Sequence, residues 1–366
     1  MWISKHTNLL PSLVVGIVFL FSGTIKLNDP RGFSYKIEEY LYLLTGRLTP
    51  QVRLLLTYTL VLAVCIATLE VVLGVALLVH WQHFWTLRAL LLLTFFFTCL
   101  TLYTATSKRI ASCGCFGDAL KLAPWQSFAK SVALFLLVLG ELYWQEKSIP
   151  TNLQSSYWVV AALLLSLGLS RYTLRHLPLW DFLPYKVGSD WSRLVQPQVP
   201  LRYVYVVKKE DQITETEHYP QESECQVVST RLVNPEDISY STHLRIWKGE
   251  EDTTQGLLTG HKLLIIAQNP ASITTPTLQK LYALIPHFPT ELQLVLITPS
   301  GQGEEVADVL GLPLHTAHPL LLQTMLRAPL GLLLLKEGVV ANKWNFNDFL
   351  QTQKTLNLKK LGRLEK

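Results

Sequence analysis

The stretch LLLTYTLVLAVCIATLEVVLGVALLV, from Leu54 to Val79, decides the fold of this chain. A helix that crosses a bilayer needs about 20 predominantly apolar residues at about 1.5 Å of rise each, and Glu70 is the single charged residue of this stretch. Three other stretches have the same character, and a shorter fifth one is flanked by Tyr, Trp and Arg side chains that suit the membrane interfaces. The sequence therefore predicts five spans, at Leu9–Leu27, Leu54–Val79, Phe84–Tyr103, Trp125–Trp144 and Tyr157–Tyr172.

The composition points to a membrane protein with a soluble part. Of the 366 residues, 49% are hydrophobic and 16% are charged, whereas about a quarter are charged in soluble domains. The apolar excess lies in residues 1–176, and residues 185–366 have a mixed globular composition. This excludes a disordered chain, a collagen and a small disulfide scaffold. The net charge of +5 is small and scattered, so we expect a lipid bilayer and no nucleic acid as the partner.

The first span is interpreted as a retained helix, because its apolar run is long and has no A-x-A-like cleavage pattern of a secretory signal. Asn28-Asp29-Pro30 follows it, and a polar cap before proline is typical of a helix start. The next segment has a single apolar face, which predicts an amphipathic helix that lies in the interface or covers the bundle. The residues of this face are Phe33, Ile37, Tyr40, Leu41 and Leu44.

The most informative short motif is Cys113-Gly114-Cys115-Phe116-Gly117-Asp118, between the third and fourth spans. Two thiols so close in the chain close a strained ring, and strain makes a disulfide easier to reduce. Gly114 and Gly117 permit the tight turn that such a ring requires, and Lys121 favours a thiolate electrostatically. The motif therefore predicts a redox pair, Cys113 and Cys115.

Two other interpretations of the motif stay open. Thiolates bind zinc or copper, but structural zinc needs four ligands, and His80 and His83 belong to a loop on the opposite face. We therefore assign no metal. The other interpretation is a cysteine pair that packs at a turn.

The remaining cysteines are given structural interpretations. Cys65 and Cys99 lie in the middle of spans, where a cysteine usually behaves as a small hydrophobe. Cys225 is interpreted as an isolated structural thiol. The alternative is that it resolves a disulfide with Cys113 or Cys115.

Glu70 is the second candidate site residue, because an ionisable side chain deep in a span is costly. It is interpreted as a proton relay, a quinone contact, or a protonated group bonded to hydroxyls such as those of Thr94 or Thr98. Lys26 is not expected to be its partner, since a lysine near the end of a span reaches the interface by snorkelling.

Two opposing signals bear on which side of the membrane the cysteine motif lies. Five spans place the motif loop and the C-terminal half on the same side. The short loops of that side carry more Lys and Arg, which favours the cytoplasm, whereas disulfide chemistry favours an oxidising compartment. We expect the extracytoplasmic side.

These motifs resemble the MauE/DoxX-like integral membrane family, and above all its longer Bacteroidetes-type members with an extra helix and a C-terminal soluble domain. The resemblance rests on residues 21–30, on Leu69-Glu70 with Gly74 to Leu78, on Cys113 to Asp118 with Pro124-Trp125-Gln126, and on residues 175–188 at the exit from the fifth span.

This resemblance implies a four-helix core in the bacterial inner membrane. MauE is linked to maturation of methylamine dehydrogenase, whose small subunit needs many disulfides, and DoxX relatives are tied to quinone-linked sulfur oxidation. It also implies that the motif residues support the cysteine pair. These residues are Lys26, Asp29, Gly114, Phe116, Gly117, Asp118, Lys121, Pro124, Trp125 and Gln126.

The soluble half predicts a thioredoxin-like order of strand, helix, strand, helix and hairpin. Its first core strand is followed by Gln268-Asn269-Pro270-Ala271-Ser272, where a working thioredoxin has Cys-x-x-Cys, so we expect no redox activity of this domain by itself. Pro329 precedes the hairpin, near the proline that is often cis in that fold. The predicted elements are strands at Tyr203–Val207, Leu244–Trp247, Leu263–Ala267 and Leu292–Thr298, helices at Pro276–Leu284 and Glu304–Leu310, and a hairpin of Leu332–Leu335 with Val339–Trp344.

The predicted fold is a membrane all-α helical bundle, a four-helix core plus a fifth transmembrane helix, followed by an α/β thioredoxin-like domain. The expected divisions are 1–147 for the four-helix core, 148–184 for the fifth helix and exit, 185–260 for a connecting region with short strands, and 261–366 for the thioredoxin-like domain.

The leading hypothesis is thiol-disulfide exchange, or maturation of an extracytoplasmic client, through Cys113 and Cys115. The soluble domain is expected to dock a client or a thioredoxin-like partner. The alternatives are a non-enzymatic scaffold or assembly factor with structural cysteines, and a quinone-linked oxidoreductase subunit centred on Glu70. No cofactor is firmly implied, and quinone is the candidate.

Overall fold

The computed structural model describes residues 9–45, 50–107, 114–144, 153–195, 203–209, 212–216, 226–232 and 244–352. Cys113 and Cys225 lie outside the described residues. The chain divides into two compact units, Met1–Leu183 and Pro184–Lys366.

The first unit is helical, and five of its helices are long and apolar enough to cross a membrane. The prediction of five spans is thereby confirmed. The second span begins later than predicted, because a short helix precedes it and the helical conformation is interrupted at Tyr58. The helices are α1 Leu9–Asn28, α2 Pro30–Thr45, α3 Pro50–Thr57, α4 Thr59–Leu78, α5 His83–Ser107, α6 Pro124–Trp144 and α7 Leu153–Arg175. Of these, α1, α4, α5, α6 and α7 are the candidate spans.

Helix α2 is the predicted amphipathic helix. The Asp29 carboxylate caps its start by accepting a hydrogen bond of 2.8 Å from the backbone N–H of Gly32. On its apolar face, the Tyr40 hydroxyl lies 3.2 Å from the Thr104 hydroxyl of α5. Phe33 and Ile37 line a cavity within the bundle. Of the two predicted placements, α2 therefore takes the one that covers the bundle.

Helices α1 and α4 pack closely because glycines lie between them. A Cβ atom at Gly23 would come within 2.7 Å of the Val71 side chain and 2.8 Å of the Ala67 carbonyl oxygen. A Cβ atom at Gly74 would lie 3.0 Å from the Gly16 carbonyl oxygen. Small residues allow helices in lipid to approach this closely, and the approach brings polar side chains of α1 and α4 within bonding distance.

An apolar layer packs between four helices of the bundle. Each of α1, α4, α5 and α6 contributes two buried residues to it. The layer consists of Val15, Phe19, Leu73, Leu77, Leu87, Leu90, Leu134 and Val138.

The second unit contains a seven-stranded mixed sheet. Its central strands are near-continuous apolar runs, as in sheets covered on both faces: Leu263 to Ala267 and Leu332 to Leu335 are buried throughout. The strands are β1 Tyr203–Lys209, β2 Gln212–Thr216, β3 Gln226–Leu232, β4 Ile246–Lys248, β5 Glu251–Asp252, β6 His261–Ala267, β7 Gln293–Pro299, β8 Leu314–Ala317, β9 Leu330–Lys336 and β10 Val339–Asn345.

The order in the large sheet is β10-β9-β6-β7-β8-β4-β5, and β2-β1-β3 form a separate antiparallel sheet. Strands β6, β7 and β8 are parallel, and β9 is antiparallel to β6, as β10 is to β9. The strand and helix elements predicted from Leu263 to Trp344 are present. The helices of this unit are α8 Trp191–Val195, α9 Thr254–Leu257, α10 Thr275–Leu284, α11 Glu304–Leu310, α12 Pro319–Met325 and α13 Phe346–Thr352.

Candidate functional site

The centre of the candidate site is a buried ion pair between Lys26 of α1 and Glu70 of α4. The two side chains are 3% and 1% exposed. The expectation that Lys26 snorkels away from Glu70 is therefore wrong. The close approach of α1 and α4 at Gly23, one turn before Lys26, places the ammonium group on the carboxylate instead.

The hydroxyl groups of α5 that the sequence suggested as hydrogen-bond partners of Glu70 bond within their own helix instead. The Thr94 hydroxyl donates to the Leu90 carbonyl at 2.8 Å, and the Thr98 hydroxyl donates to the Thr94 carbonyl at 2.7 Å. Both bonds stay within their own helix. Glu70 Oε2 is buried and has no hydrogen-bond partner among the described residues.

The ion pair lines a cavity of about 190 Å³ that is walled mainly by apolar and aromatic side chains. The Lys26 ammonium lies 5.0 Å from the ring centre of Phe33 and 5.2 Å from that of Phe97. At this range aromatic faces attract a cation. The polar groups in the lining are Ser22, Lys26, Tyr40, Glu70, Thr94, Cys115, Lys130 and Ser131.

Cys115 lines the same cavity as the ion pair, so the structure brings four of the predicted site residues together: Lys26, Glu70, Gly114 and Cys115. The Ser22 hydroxyl donates a hydrogen bond of 2.8 Å to the Cys115 carbonyl oxygen. Lys26 Nζ in turn donates to the Ser22 hydroxyl at 3.1 Å. A continuous polar chain therefore leads from Glu70 through Lys26 and Ser22 to the backbone of the cysteine motif.

The glycines of the motif have the conformation that the sequence predicts for a tight turn. Gly114 has φ +70° and Gly117 has φ +54°, both in the left-handed region. A Cβ atom at Gly114 would lie 3.1 Å from Lys36 Cγ, and one at Gly117 would lie 3.2 Å from Ile25 Cγ2. The loop thus rests directly on α1 and α2, where a larger residue would displace it.

Of the supporting residues of the motif, Lys26 and Gly114 line the cavity and the others do not. The Phe116 ring is buried, 5.4 Å from the ring centre of Phe21 and 4.3 Å from Lys130 Nζ, so it anchors the loop. Gln126 Oε1 accepts a hydrogen bond of 3.0 Å from the Ala123 N–H at the start of α6. The supporting residues that do not line the cavity are Asp29, Phe116, Gly117, Asp118, Lys121, Pro124, Trp125 and Gln126.

Sequence reasoning missed three polar residues of the cavity wall: Ser22, Lys130 and Ser131. Ser22 lies within the stretch that carries the family resemblance. The helical spacing of Ser22 and Lys26, four residues apart on one face, is a signal that could have found it. Lys130 and Ser131 carry no comparable local signal, because their place in the cavity depends on how α6 packs.

The two other cysteines among the described residues, Cys65 and Cys99, do not line the cavity. Cys65 and Cys99 are exposed on α4 and α5 and form no disulfide. Within the part of the chain that the structure describes, no group of three His, Cys, Asp or Glu side chains is placed to hold a metal ion.

In the second unit, Gln268 directly follows β6, where a working thioredoxin would have its Cys-x-x-Cys motif. Its side-chain amide donates to the carbonyl oxygens of Leu322 and Leu326, and Pro270 begins a short 3₁₀ turn. The peptide bonds of the described residues are all trans, including the one before Pro329.

The five apolar helices define the chain as a multi-pass membrane protein, whose natural environment is a lipid bilayer. Residues 4–144 match the family model described as Methylamine utilisation protein MauE. The matched region contains α1 to α6, so the resemblance to MauE is confirmed for the membrane core. The DoxX part of the resemblance and the identity of the C-terminal domain remain predictions. No curated protein and no solved structure matches the chain.

Proposed function

We propose that this membrane protein takes part in thiol-disulfide exchange with an extracytoplasmic client through Cys113 and Cys115. The observation that carries the proposal is the position of Cys115, which lines a cavity together with the buried Lys26–Glu70 pair. A cysteine that only packs at a turn does not require a buried ion pair beside it, and such pairs are costly to desolvate.

The chemistry of the exchange balances without a metal. A client thiolate attacks one sulfur of the Cys113–Cys115 disulfide, which gives a mixed disulfide and leaves the other sulfur as a thiolate. The second client thiol then displaces the bound cysteine. The client gains a disulfide, and the loop gains two electrons and, after protonation, two protons.

The C-terminal unit is proposed as the docking module of this system. The order β10-β9-β6-β7, with β6 and β7 parallel and β9 and β10 antiparallel, supports the thioredoxin-like assignment. Since Gln268 takes the place of a thiol, this unit would bind a client or a thioredoxin-like partner and not oxidise it.

Trapping of mixed disulfides tests the exchange. The parent is the full chain with Cys65, Cys99 and Cys225 changed to Ser. Cells that express it are quenched with acid, and their free thiols are then alkylated. We expect one of the single variants, Cys113→Ser or Cys115→Ser, to accumulate a mixed disulfide by the reverse step, in which the remaining loop thiolate attacks a client disulfide and releases one client thiolate. The second loop thiol, which would free the client from this mixed disulfide, is absent. The double variant should give none. Client adducts in the double variant equal to those of the parent would contradict the proposal.

The same set of variants separates exchange from the scaffold alternative. A scaffold with structural cysteines would keep its bound partners in the double variant and lose only thermal stability. Restoring Cys65 or Cys99 is the matched control, because these thiols are exposed on α4 and α5 and are expected to leave client trapping unchanged.

A second candidate function is quinone-linked oxidation of the reduced loop, centred on Glu70. The specific observation in its favour is that Glu70 lines an aromatic-walled cavity, and that its buried Oε2 has no hydrogen-bond partner among the described residues. A dithiol and a quinone give a disulfide and a hydroquinone, so two electrons and two protons are transferred.

Quinone reduction by the purified full chain, with a dithiol as the electron donor, tests this second function. We expect Lys26→Met/Glu70→Gln to lose turnover, since the polar end of the cavity is removed without leaving a lone buried charge. His83→Leu/Glu141→Leu, which removes the buried pair at the opposite end of the bundle, is the matched control and should retain turnover. Equal turnover in the two variants would exclude a role for Glu70.

A further inference from the structure

The exit segment, residues 177–183, leaves the fifth span and is fastened back onto the bundle. Helix α7 ends at Arg175, and Trp180 of the exit segment is bound to Asn28, the last residue of α1. The Asn28 side-chain amide donates to the Trp180 carbonyl oxygen at 2.8 Å, and the Trp180 N–H donates to Asn28 Oδ1 at 3.0 Å. Asn28 is 1% exposed, and its amide is a two-point clamp on the backbone of Trp180.

The clamp fixes the level of the exit segment. An extended chain advances by up to about 3.6 Å per residue, so residues 176–180 could carry Trp180 about 18 Å away from the end of α7. The bonds to Asn28 keep Trp180 level with the end of α1 instead, and α1 and α7 are both candidate spans. The Thr173 hydroxyl joins these two helices near the same level, since it donates to the Leu27 carbonyl at 2.9 Å. The exit segment therefore runs along the end of the bundle.

Three large apolar side chains of the exit segment are exposed. Leu179, Trp180 and Phe182 are 51%, 54% and 42% exposed, whereas Leu183 is 5% exposed. Single exposed apolar side chains are common on proteins, but a concentration of large ones marks an interaction surface. The exit segment therefore presents an apolar patch.

The backbone of this segment is bonded to side chains of the protein. Both backbone polar groups of Trp180 bond to Asn28, and the Leu183 N–H donates to Asp181 Oδ1 at 3.0 Å. Backbone groups that enter a lipid interface have fewer water molecules to bond, so internal partners lower the cost of their transfer. A segment that only crossed water would not need these partners.

The patch continues the lipid-facing surface of the spans. On α7, the exposed side chains of residues 163–165 are followed by the exposed Tyr172 in the last turn. Trp125, at the start of α6, is 59% exposed at the same end of the bundle. Tryptophan and tyrosine are enriched where spans meet the lipid headgroups. The exit segment lies at the level at which these side chains mark the membrane interface.

We propose that the exit segment is a lipid-binding anchor, in which the Asn28 clamp holds Leu179, Trp180 and Phe182 in the boundary between the headgroups and the acyl chains on the motif side of the membrane. The partner is the lipid bilayer, because the patch is apolar, lies at the end of two spans and contains an amphipathic tryptophan ring. The anchor goes beyond the proposed exchange reaction, which uses none of these residues.

The anchor acts on the helix that supports the cysteine motif. Interfacial anchors set the tilt and depth of the span to which they are attached. The clamp attaches the exit segment to α1, and α1 also carries Ser22 and Lys26, which bond to the motif and to each other. The exit segment therefore fixes the depth of α1 at the end where Cys115 lies.

Depth-dependent quenching of a fluorophore tests the anchor. The full chain with its five cysteines changed to Ser and with Phe182→Cys is labelled with the environment-sensitive fluorophore NBD and reconstituted into vesicles of dioleoylphosphatidylcholine. We expect a nitroxide on the lipid headgroup to quench the label strongly and aqueous iodide to quench it weakly. Leu165→Cys, in the middle of α7, is the reference and should respond mainly to a nitroxide at the end of the acyl chain. The labelled chain has no native thiol, so the result does not depend on thiol exchange.

The clamp is tested with the same label. Asn28→Ala should release the exit segment, so that quenching by the headgroup nitroxide falls and quenching by iodide rises. Ser34→Ala is the matched control, because Ser34 is also buried but its hydroxyl donates to the Arg31 carbonyl of its own helix at 2.8 Å. The label should keep its depth in this control. Unchanged quenching in Asn28→Ala would overturn the role of the clamp.

A second variant covers a failure of Asn28→Ala to fold. Leu179→Gln/Trp180→Gln changes only exposed side chains and leaves the backbone clamp in place. It should lose most of the quenching by the headgroup nitroxide while its helical circular dichroism stays constant. In the parent, a label that iodide quenches as fully as the free fluorophore would place the segment in water, and a label that neither quencher reaches would mean that protein covers the patch. Either result would overturn the proposal.

Discussion

The two ends of the membrane bundle bury ionisable side chains in different surroundings. At the motif end, Lys26 and Glu70 form a direct pair that borders a cavity and is connected through Ser22 to the cysteine loop. At the other end, His83 and Glu141 meet where two spans reach the surface. One apolar layer therefore lies between two buried polar sites at opposite ends of the same helices.

Neither pair is explained by stability alone. Taking two charges out of water costs more than their attraction returns unless the geometry is excellent, and apolar replacements are often as stable. The Lys26–Glu70 pair also leaves one carboxylate oxygen unpartnered among the described residues. A role in binding or proton transfer at the cavity accounts for its presence better than a contribution to folding does.

The largest expected effect tests this interpretation. Lys26→Met leaves Glu70 as a lone buried charge and should lower the free energy of unfolding by about 3–5 kcal/mol. Lys26→Met/Glu70→Leu removes both charges and should recover most of that loss. Unfolding of the full chain in mixed micelles measures both. A double variant as unstable as the single one would mean that the pair does stabilise the fold.

The next effect concerns the backbone of the cysteine loop. Gly114→Ala introduces a Cβ atom at φ +70° and 3.1 Å from Lys36 Cγ, and we expect a loss of about 1–3 kcal/mol from strain of this kind. Gly188→Ala is the control in the other unit, because Gly188 has φ +87° and open space around it.

The two alanine variants separate strain from contact. Strain alone should make both of them less stable, whereas only Gly114→Ala should also change the alkylation rate of Cys115, since Lys36 must move away from the loop. Equal alkylation rates for Gly114→Ala and the parent chain would show that the contact with Lys36 does not hold the loop.

Much of this architecture could be predicted from the sequence. The spans depend on runs of apolar residues, and the start of α2 depends on a local cap at Asp29, so both are encoded within short windows. The turn at Gly114 and Gly117 is local in the same way. The strands from Leu263 onward were predictable because long apolar runs and a glycine turn delimit them.

The partners of the buried charges could not be predicted in this way. Lys26 and Glu70 lie 44 residues apart in the chain, and their pairing depends on how closely α1 and α4 approach at Gly23. The rule that lysines snorkel describes a helix exposed to lipid, whereas α2 covers this end of the bundle. The contact between His83 and Glu141 could not be predicted for the same reason, because it depends on helix packing.

The smallest expected effect concerns the hydrogen bond that joins the ion pair to the loop. Ser22→Ala removes the donor to the Cys115 carbonyl and the acceptor for Lys26, and should cost about 1–2 kcal/mol, the net value of two hydrogen bonds. Ser131→Ala is the matched control, because Ser131 lines the same cavity but donates to the Ser127 carbonyl of its own helix at 3.0 Å. The rate at which a small alkylating reagent modifies Cys115, in a chain with the other four cysteines changed to Ser, should rise in Ser22→Ala and stay constant in Ser131→Ala. Equal rates would mean that Ser22 does not hold the loop, and that the connection between the ion pair and the cysteine runs through the cavity itself.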